Sequence, residues 1–343
     1  MNFDSDNIQQ ISSVRIDVHS AINAFIESVA QSRSPKTATA YGFALKSYEN
    51  TLREHGFKPE IQLATSLPEV SIGWFATDLR SHTPSTEQLY LTAVNNFFHF
   101  LAAEDLASPN LPRVENLKRK RMRRTGQRLP QFPREAIENI LDYANRLVLL
   151  PVENELEGLR NLRDRAFILT LADTGLRVHE ACGLRRGDVD WYENRAIIIG
   201  KGDKQAVVRF SDRSIQALKD YLLHRAKFDG ASGRPLSSLP LFSRHDKGAG
   251  KKVKPITTTT GRNIVSDRVK ESLGDAAVGS ITPHSFRHYF VTTVLRASGN
   301  LKMAQELARH KNIAVTQRYA HLSDDELDKG YWEIFNSDSK REE

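Results

Sequence analysis

The chain has 343 residues, of which 39% are hydrophobic and 27% charged, so it is long enough for two ordinary domains with sizeable cores. No segment approaches the roughly 20 apolar residues of a membrane-spanning helix. The net charge is +7, the single cysteine excludes an internal disulfide, and no Cys/His spacing indicates a metal site, so we expect a reduced, cytoplasmic protein.

Residues 20–105 show the apolar spacing of helices throughout. A first helix carries apolar residues at positions i, i+3, i+4 and i+7, counted from Ile22. Ser34–Pro35 provides an N-cap followed by proline at the first helical position of a second helix. A third helix is expected around Trp74, and a fourth begins at Thr83. We therefore predict an all-α domain of four short amphipathic helices.

A concentrated run of positive charge follows this domain. Its six charges, which account for all but one of the net charge of +7, belong to Lys118, Arg119, Lys120, Arg121, Arg123 and Arg124. Prolines and glycines on both sides are typical of loops, so we interpret residues 106–133 as an interdomain linker. A concentrated basic strip favours nucleic acid as the partner. From charge alone, a solvated linker or a localisation signal is an equal alternative.

The remaining residues, 134–343, combine helices with a β-hairpin. Two β-branched runs, 195–199 and 206–210, flank a glycine-rich turn at 200–204, which is the pattern of a hairpin. Helices are predicted near residues 134–147, 163–174, 211–227, 261–273, 285–298, 301–309 and 323–335. The whole chain is therefore predicted to be mainly α with a small β-hairpin or sheet.

Several residues of this second region suit the cleavage of a phosphodiester without a metal. That reaction needs fixed cations for its negative transition state, a nucleophile in line and a general acid. His284 and Arg287 lie one helical turn apart, so both can face one point. The other candidates are Arg177, Lys201, His310 and Tyr319. Taken singly, these residues fit an ordinary structural role better: a salt bridge or cap for His284 and Arg287, a turn lysine for Lys201 and a core tyrosine for Tyr319.

The order and spacing of these residues together resemble the tyrosine recombinase (phage integrase-like) family, in its simple two-domain Xer form. The matching segments are Thr174–Glu180 for the first arginine motif, Gly200–Lys204 for the hairpin lysine, Thr282–His288 for the His-x-x-Arg box, and Glu306–His310 with Thr316–Leu322 for the terminal box. Ser34–Tyr41 resembles the opening of the family's helical DNA-binding domain. The resemblance covers roughly residues 20–335.

The resemblance implies a fold and a set of residue roles. After a tail at 1–19, it implies a four-helix, SAM-like core-binding domain at 20–105 and a mixed α/β catalytic domain at 134–343. Tyr319 would attack the scissile phosphate, form a 3′-phosphotyrosine and release a 5′-hydroxyl, with no metal, ATP or other cofactor. The other implied roles are phosphate clamping by Arg177 and Arg287, hydrogen bonding and proton handling by His284 and His310, protonation of the leaving oxygen by Lys201, and orientation of these groups by Glu180.

The resemblance also implies the partners. These are double-stranded DNA with inverted half-sites and further copies of the chain, two per site and four in the active complex, which would pass through a Holliday junction. The segment Asp324–Phe335 would dock on a neighbouring protomer or fold back on its own core. Whether an accessory protein takes part is left open. No membrane partner is expected, and the location would be the cytoplasm, at the nucleoid.

Two features depart from the family, and other functions remain open. Arg309 stands where many members have glycine, and the stretch 148–162 looks longer than usual, as a surface insertion or a contact between protomers. The same chemistry would serve a type IB topoisomerase or a telomere resolvase. A regulator that keeps the fold and binds DNA without catalysis is the alternative from a different class.

Overall fold

The computed structural model of the chain describes residues 15–123, 133–199, 205–246, 248 and 253–317. The chain divides into two compact units, Met1–Gln127 and Arg128–Glu343, and each has its own apolar core. Within the described ranges, helices predominate and three strands form one small sheet, which confirms the predicted fold class. None of the helices in these ranges is both long and apolar enough to cross a membrane.

Five helices form the described part of the first unit. They are α1 (Val18–Ser32), α2 (Pro35–Glu54), α3 (Ser71–Asp78), α4 (Pro84–Ala103) and α5 (Leu111–Arg121). Four of them begin at a residue whose side chain accepts a hydrogen bond from the backbone N–H three positions on, namely Asp17, Ser34, Thr83 and Asn110. Such caps satisfy backbone donors that the first helical turn leaves unpaired, and they fix where each helix starts.

Aromatic side chains fill the core of the first unit. Phe25, Phe75, Phe97 and Phe98 are all buried, and the Phe25 and Phe97 rings lie 5.8 Å apart. Tyr48 is fully buried and its hydroxyl pairs with Ser71. The aromatic residues at helical spacing therefore form a core, as the sequence predicts, rather than a surface for stacking bases.

Helix α5 lies within the stretch 106–133 that we interpret as a linker. Val114 is fully buried in the core of the first unit, and α5 packs against α3 and α4. Arg123 donates to the buried carboxylate of Glu87 and to the carbonyl of His82. The basic stretch up to Arg123 is thus a packed helix and its end, which differs from the loop that its prolines and glycines predict.

Two of the predicted DNA-binding cations serve this packing. Arg123 is held by Glu87, and the guanidinium of Arg121 lies so close to Gly73 that a Cβ there would overlap it. Arg119 and Lys120 are exposed, and Lys118 is half-buried. The predicted contact Arg124 lies outside the described residues.

The second unit combines eight helices with the sheet over its described residues. Its elements are α6 (Arg134–Arg146), α7 (Glu155–Thr174), α8 (Val178–Gly183), β1 (Val189–Asp190), β2 (Arg195–Ile199), β3 (Gln205–Arg209), α9 (Asp212–Gly230), α10 (Thr258–Leu273), α11 (Pro283–Ser298), α12 (Leu301–Ala308) and α13 (Ile313–Gln317). The strands are antiparallel in the order β1-β2-β3, with Ile197 opposite Val207. The predicted hairpin is confirmed, its turn at 200–204 lies outside the described residues, and β1 is a strand that the sequence did not predict.

Helix α7 is the central element of the second unit. Residues Ala166–Ala172 are all buried, and α7 packs against α6, α9 and α11. It begins at Glu155, capped by Asn154, so the second half of the stretch 148–162 is its first two turns. Because the neighbouring helices enclose α7, the position of its last residue, Thr174, is fixed, and the next segment begins from there.

A buried histidine makes the stability of the second unit depend on pH. Burial lowers the pKa of His245 to about 3, and the charges of Arg163 and Arg225 add to the effect. In the unfolded chain a histidine has a pKa of about 6.5. As the pH falls below that value, His245 becomes protonated in the unfolded state but stays neutral in the folded state, so the unfolded state is favoured. We expect the free energy of unfolding in urea to fall by roughly 1 kcal/mol per pH unit between about pH 6.5 and 5.

Two variants isolate the contribution of this residue. His245→Gln removes the titrating ring and should lessen the loss of stability at low pH, whereas His224→Gln, at an exposed histidine, should retain it. If His245→Gln kept the full pH dependence of the urea midpoint, the proposed cause would be wrong.

Candidate active site

Arg177 projects from the turn that follows α7. The helix ends at Gly175, whose φ of 58° is left-handed, and a Cβ at this position would overlap the ring of Phe290. Arg177 then caps α8: its backbone N–H and its Nη1 each donate to the carboxylate of Glu180, both at 2.8 Å. Its side chain is 44% exposed. Glu180 therefore holds one edge of the guanidinium, and the rest of the group is accessible to an anion.

Arg287 lies at the base of the site and joins two loops. It belongs to α11 and is only 2% exposed. Its Nη1 donates to the carbonyl of Gly175, and its Nη2 donates to the carbonyl of Ala308. Gly175 precedes Arg177 and Ala308 precedes the His310 segment, so one guanidinium sets the distance between the two loops.

His284 stands in the first turn of α11, one turn before Arg287. Thr282 and Ser285 form a capping box at the start of this helix, which fixes the direction of its first turn. The His284 ring packs edge-on against His288, with centroids 4.4 Å apart. Burial and the charges of Arg287 and Arg177 lower the pKa of His284. The ring is therefore neutral at neutral pH and can donate one hydrogen bond.

His310 follows α12 and is held by hydrogen bonds with Gln305 and Thr316. Its backbone N–H donates to the carbonyl of Gln305 at 3.0 Å, and its Nδ1 pairs with the Thr316 hydroxyl at 2.8 Å. Burial lowers the pKa of His310 to about 4, with further contributions from the charges of Arg287 and Arg177. His310 is thus a second neutral histidine beside the same two arginines.

Glu180 is a buried carboxylate whose side chain is only 6% exposed. Burial opposes its ionisation, but hydrogen bonds from Arg177 and the charge of Arg309 outweigh burial and hold the pKa of Glu180 below its ordinary value. The Glu180 Oε2 also accepts from Nη2 of Arg309 at 3.4 Å. Glu180 is therefore an anion that orients Arg177, which agrees with the role that the resemblance implies.

Three of these groups line an open cleft of about 690 Å³ in the second unit. Arg177, His284 and Arg287 belong to its lining, together with Arg262 and Asn263 of α10. No sequence motif marks Arg262, and only the packing of α10 places it at this cleft. The described residues hold no cluster of three or more His, Cys, Asp or Glu side chains that could bind a metal ion.

The structure therefore brings together four of the six predicted catalytic residues: Arg177, His284, Arg287 and His310. The other two, Lys201 and Tyr319, lie outside the described residues. Tyr319 follows α13 after one intervening residue, and α13 itself is joined to His310 through Thr316.

Comparisons with known proteins identify the family of the chain. Residues 130–326 match the phage integrase family. Tyrosine recombinase XerC of Pediococcus pentosaceus is 27% identical over 307 residues, which span 90% of this chain and 94% of that protein. Tyrosine recombinase XerC of Staphylococcus aureus is 33% identical over 189 residues, or 52% of this chain and 58% of that protein.

Solved structures show the same fold. XerH site-specific recombinase, bound to a palindromic difH substrate in a post-cleavage complex, aligns with a TM-score of 0.66 at 17% identity, over 91% of this chain and 84% of that chain. A lambda integrase dimer bound to a COC′ core site aligns with a TM-score of 0.61 at 15% identity, over 89% of this chain and 96% of that chain. At such identities the likeness establishes the fold alone.

The protonation state of His310 is a direct test of the site's electrostatics. With a pKa of about 4, its ring should stay neutral from about pH 8 to about pH 5.5, where an ordinary histidine titrates. We expect its ring ¹⁵N chemical shifts in the DNA-free protein to remain constant over that range. The signal is assigned by its loss in His310→Gln. A titration midpoint near 6.5 would show that neither burial nor the surrounding cations act on this ring as described.

Proposed function

Because the chain belongs to the phage integrase family, we propose that it cuts and rejoins duplex DNA at specific sites through a covalent phosphotyrosine intermediate. It is a tyrosine recombinase, and the finer steps of its reaction are the subject of this proposal. The observation that carries it is that Arg177, His284 and Arg287 line one cleft, with His310 close enough to Arg177 and Arg287 for their charges to act on its ring.

The charges of this cleft fit the scissile phosphate. A phosphodiester carries one negative charge, and the pentacoordinate transition state concentrates more on its non-bridging oxygens. Fixed guanidinium groups stabilise that charge without reorganisation during the reaction. Arg177 is held by Glu180, and Arg287 is held by two backbone carbonyls. We assign Arg177 and Arg287 to these oxygens, and we assign neutral His284 and His310 as hydrogen-bond donors to them.

Tyr319 is the proposed nucleophile. Its hydroxyl gives up its proton to a neutral histidine, His284 or His310, and its oxygen attacks phosphorus while the bond to the 5′ oxygen breaks, which leaves a 3′-phosphotyrosine and a 5′-hydroxyl. Lys201 supplies the proton that the leaving oxygen takes up. Rejoining reverses the step: a 5′-hydroxyl attacks the phosphotyrosine and releases Tyr319. The energy of the broken bond is kept in the covalent link, so the proposed cycle needs neither ATP nor a metal ion.

The proposed target is a DNA site with inverted half-sites, bound by two copies of the chain. The four copies bound at two such sites would form a tetramer, and the two DNA sites would exchange strands through a Holliday junction. The structure of XerH on a palindromic substrate supports a two-fold site by analogy. We further propose that the first unit is the core-binding domain and the second the catalytic domain, and that the exposed cations of α5 contact the DNA backbone at the nucleoid.

The covalent intermediate is the most direct test of this proposal. A nicked duplex that carries candidate sites from the flanking genome would be incubated with the full-length protein in EDTA and run on a denaturing gel. We expect a slow protein–DNA band that is absent with Tyr319→Phe, since phenylalanine has no nucleophilic oxygen. If DNA that the protein demonstrably binds gives no such band, catalysis by phosphotyrosine is refuted.

The contribution of α5 can be measured separately through the salt dependence of binding. Each lost phosphate contact lowers the log–log slope of affinity against salt by about 0.9. Changing Lys118, Arg119 and Lys120 to glutamine should therefore flatten the slope by roughly 2 to 3. Lys219→Gln, at an exposed lysine of α9 in the second unit, is the control and should leave the slope unchanged. An unchanged slope in the triple variant would place α5 away from the phosphates.

A further inference from the structure

Arg309 has a backbone conformation that glycine adopts more readily. Its φ of 57° is left-handed, and it ends α12 directly before His310. A non-glycine residue in this region costs on the order of 1 kcal/mol and persists only where its surroundings compensate. The family resemblance leads one to expect glycine at this position, so the arginine side chain must contribute something that glycine cannot.

The Arg309 side chain points into the site rather than towards solvent. It is only 12% exposed. Its Nη2 donates to the carbonyl of Gly175 at 3.3 Å and to Oε2 of Glu180 at 3.4 Å. Its Nε is buried, with no hydrogen-bond partner among the residues that the structure describes. A guanidinium enclosed in this way is poorly placed to bind a DNA phosphate directly.

The contacts of Arg309 lead to Arg177 through one carboxylate. Oε1 of Glu180 accepts from Nη1 of Arg177, and Oε2 accepts both from the Arg177 backbone N–H and from Arg309. Gly175, the other partner of Arg309, also accepts from Arg287. Arg309 therefore touches both groups that orient the phosphate-binding arginines.

From this chain of contacts, we propose that Arg309 is a positioning residue, which holds Glu180 and thereby keeps the Arg177 guanidinium in the geometry of cleavage. The inference rests on the proposed function. It assigns a role to a residue that stands where many family members have glycine, and it predicts that the effect of Arg309 on Arg177 passes mainly through Glu180.

The substitution Arg309→Gly is the central variant, because glycine suits the backbone conformation and should preserve the fold. We expect the rate constant of covalent complex formation at saturating protein to fall about 10-fold. The affinity for DNA and its salt slope should stay unchanged, since no phosphate contact is lost. Arg309→Lys keeps the charge and should recover part of the rate. Asp105→Gly is the matched control, because Asp105 is exposed in the first unit and also left-handed, and this variant should cleave normally.

A double-mutant cycle tests whether Arg309 acts through Glu180. In a Glu180→Gln background, Arg309→Gly should cost less than about 3-fold in rate, because the link to Arg177 is already weakened. An equal 10-fold loss in both backgrounds would overturn the proposal. So would an unchanged rate in Arg309→Gly alone, and so would a flattened salt slope, which would make Arg309 a phosphate ligand instead.

A second readout does not depend on cleavage. The side-chain N–H signals of Arg177 in DNA-free protein should broaden and exchange faster with water in Arg309→Gly than in the unaltered chain. Unchanged signals would contradict the positioning role. If the unaltered protein formed no covalent complex, the proposed function would fail, while the Arg177 signals would still decide the role of Arg309.

Discussion

The site depends on one buried guanidinium, that of Arg287. Its two terminal nitrogens donate to the carbonyls of Gly175 and Ala308, which belong to segments far apart in the chain. A buried charge is costly unless hydrogen bonds satisfy it, so the two loops and the arginine stabilise one another. The positions of Arg177 and His310, each close to one of these carbonyls along the chain, follow from this single interaction.

The same arrangement sets the electrostatics of the cleft. Three guanidinium groups, those of Arg177, Arg287 and Arg309, act on the His310 ring, and Glu180 is the carboxylate partner of Arg177 and Arg309. Their mutual repulsion is relieved only in part, which is typical of a site built to receive an anion. Burial, together with the charge of Arg287 and Arg177, lowers the pKa of both histidines. A phosphate entering the cleft would therefore meet a positive field and hydrogen-bond donors that need no rearrangement.

Much of the fold could be predicted from local sequence signals. The capping residues Ser34 and Thr83, each followed by a proline, predict helix starts, and the β-branched runs predict the hairpin. Helix α5 begins with the same signal, Asn110 followed by Leu111 and a proline, but the surrounding prolines and the dense charge suggested a loop. Only burial of Val114 in the core shows that this segment is packed, and burial depends on tertiary structure.

The residues of the candidate site also fall into those that the sequence predicts and those that it does not. Arg177, His284, Arg287 and His310 were identified by the order of motifs, and the structure brings them together. Arg262 and the inward turn of Arg309 could not be predicted, because both depend on which helices meet at the cleft. A position before a histidine in the sequence does not reveal whether its side chain faces solvent or a buried carboxylate.

Arginine side chains are proposed to neutralise the negative charge of the scissile phosphate. An analogue of that phosphate without the charge shows whether they do so. With ordinary DNA, Arg177→Ala should slow cleavage by roughly 100- to 1000-fold, the usual effect of removing one preorganised donor. With a methylphosphonate at the scissile position, one charged oxygen is replaced by methyl, and the same substitution should cost at least about 10-fold less. An equal loss on both substrates would contradict the account, because Arg177 would then act elsewhere than on the phosphate charge.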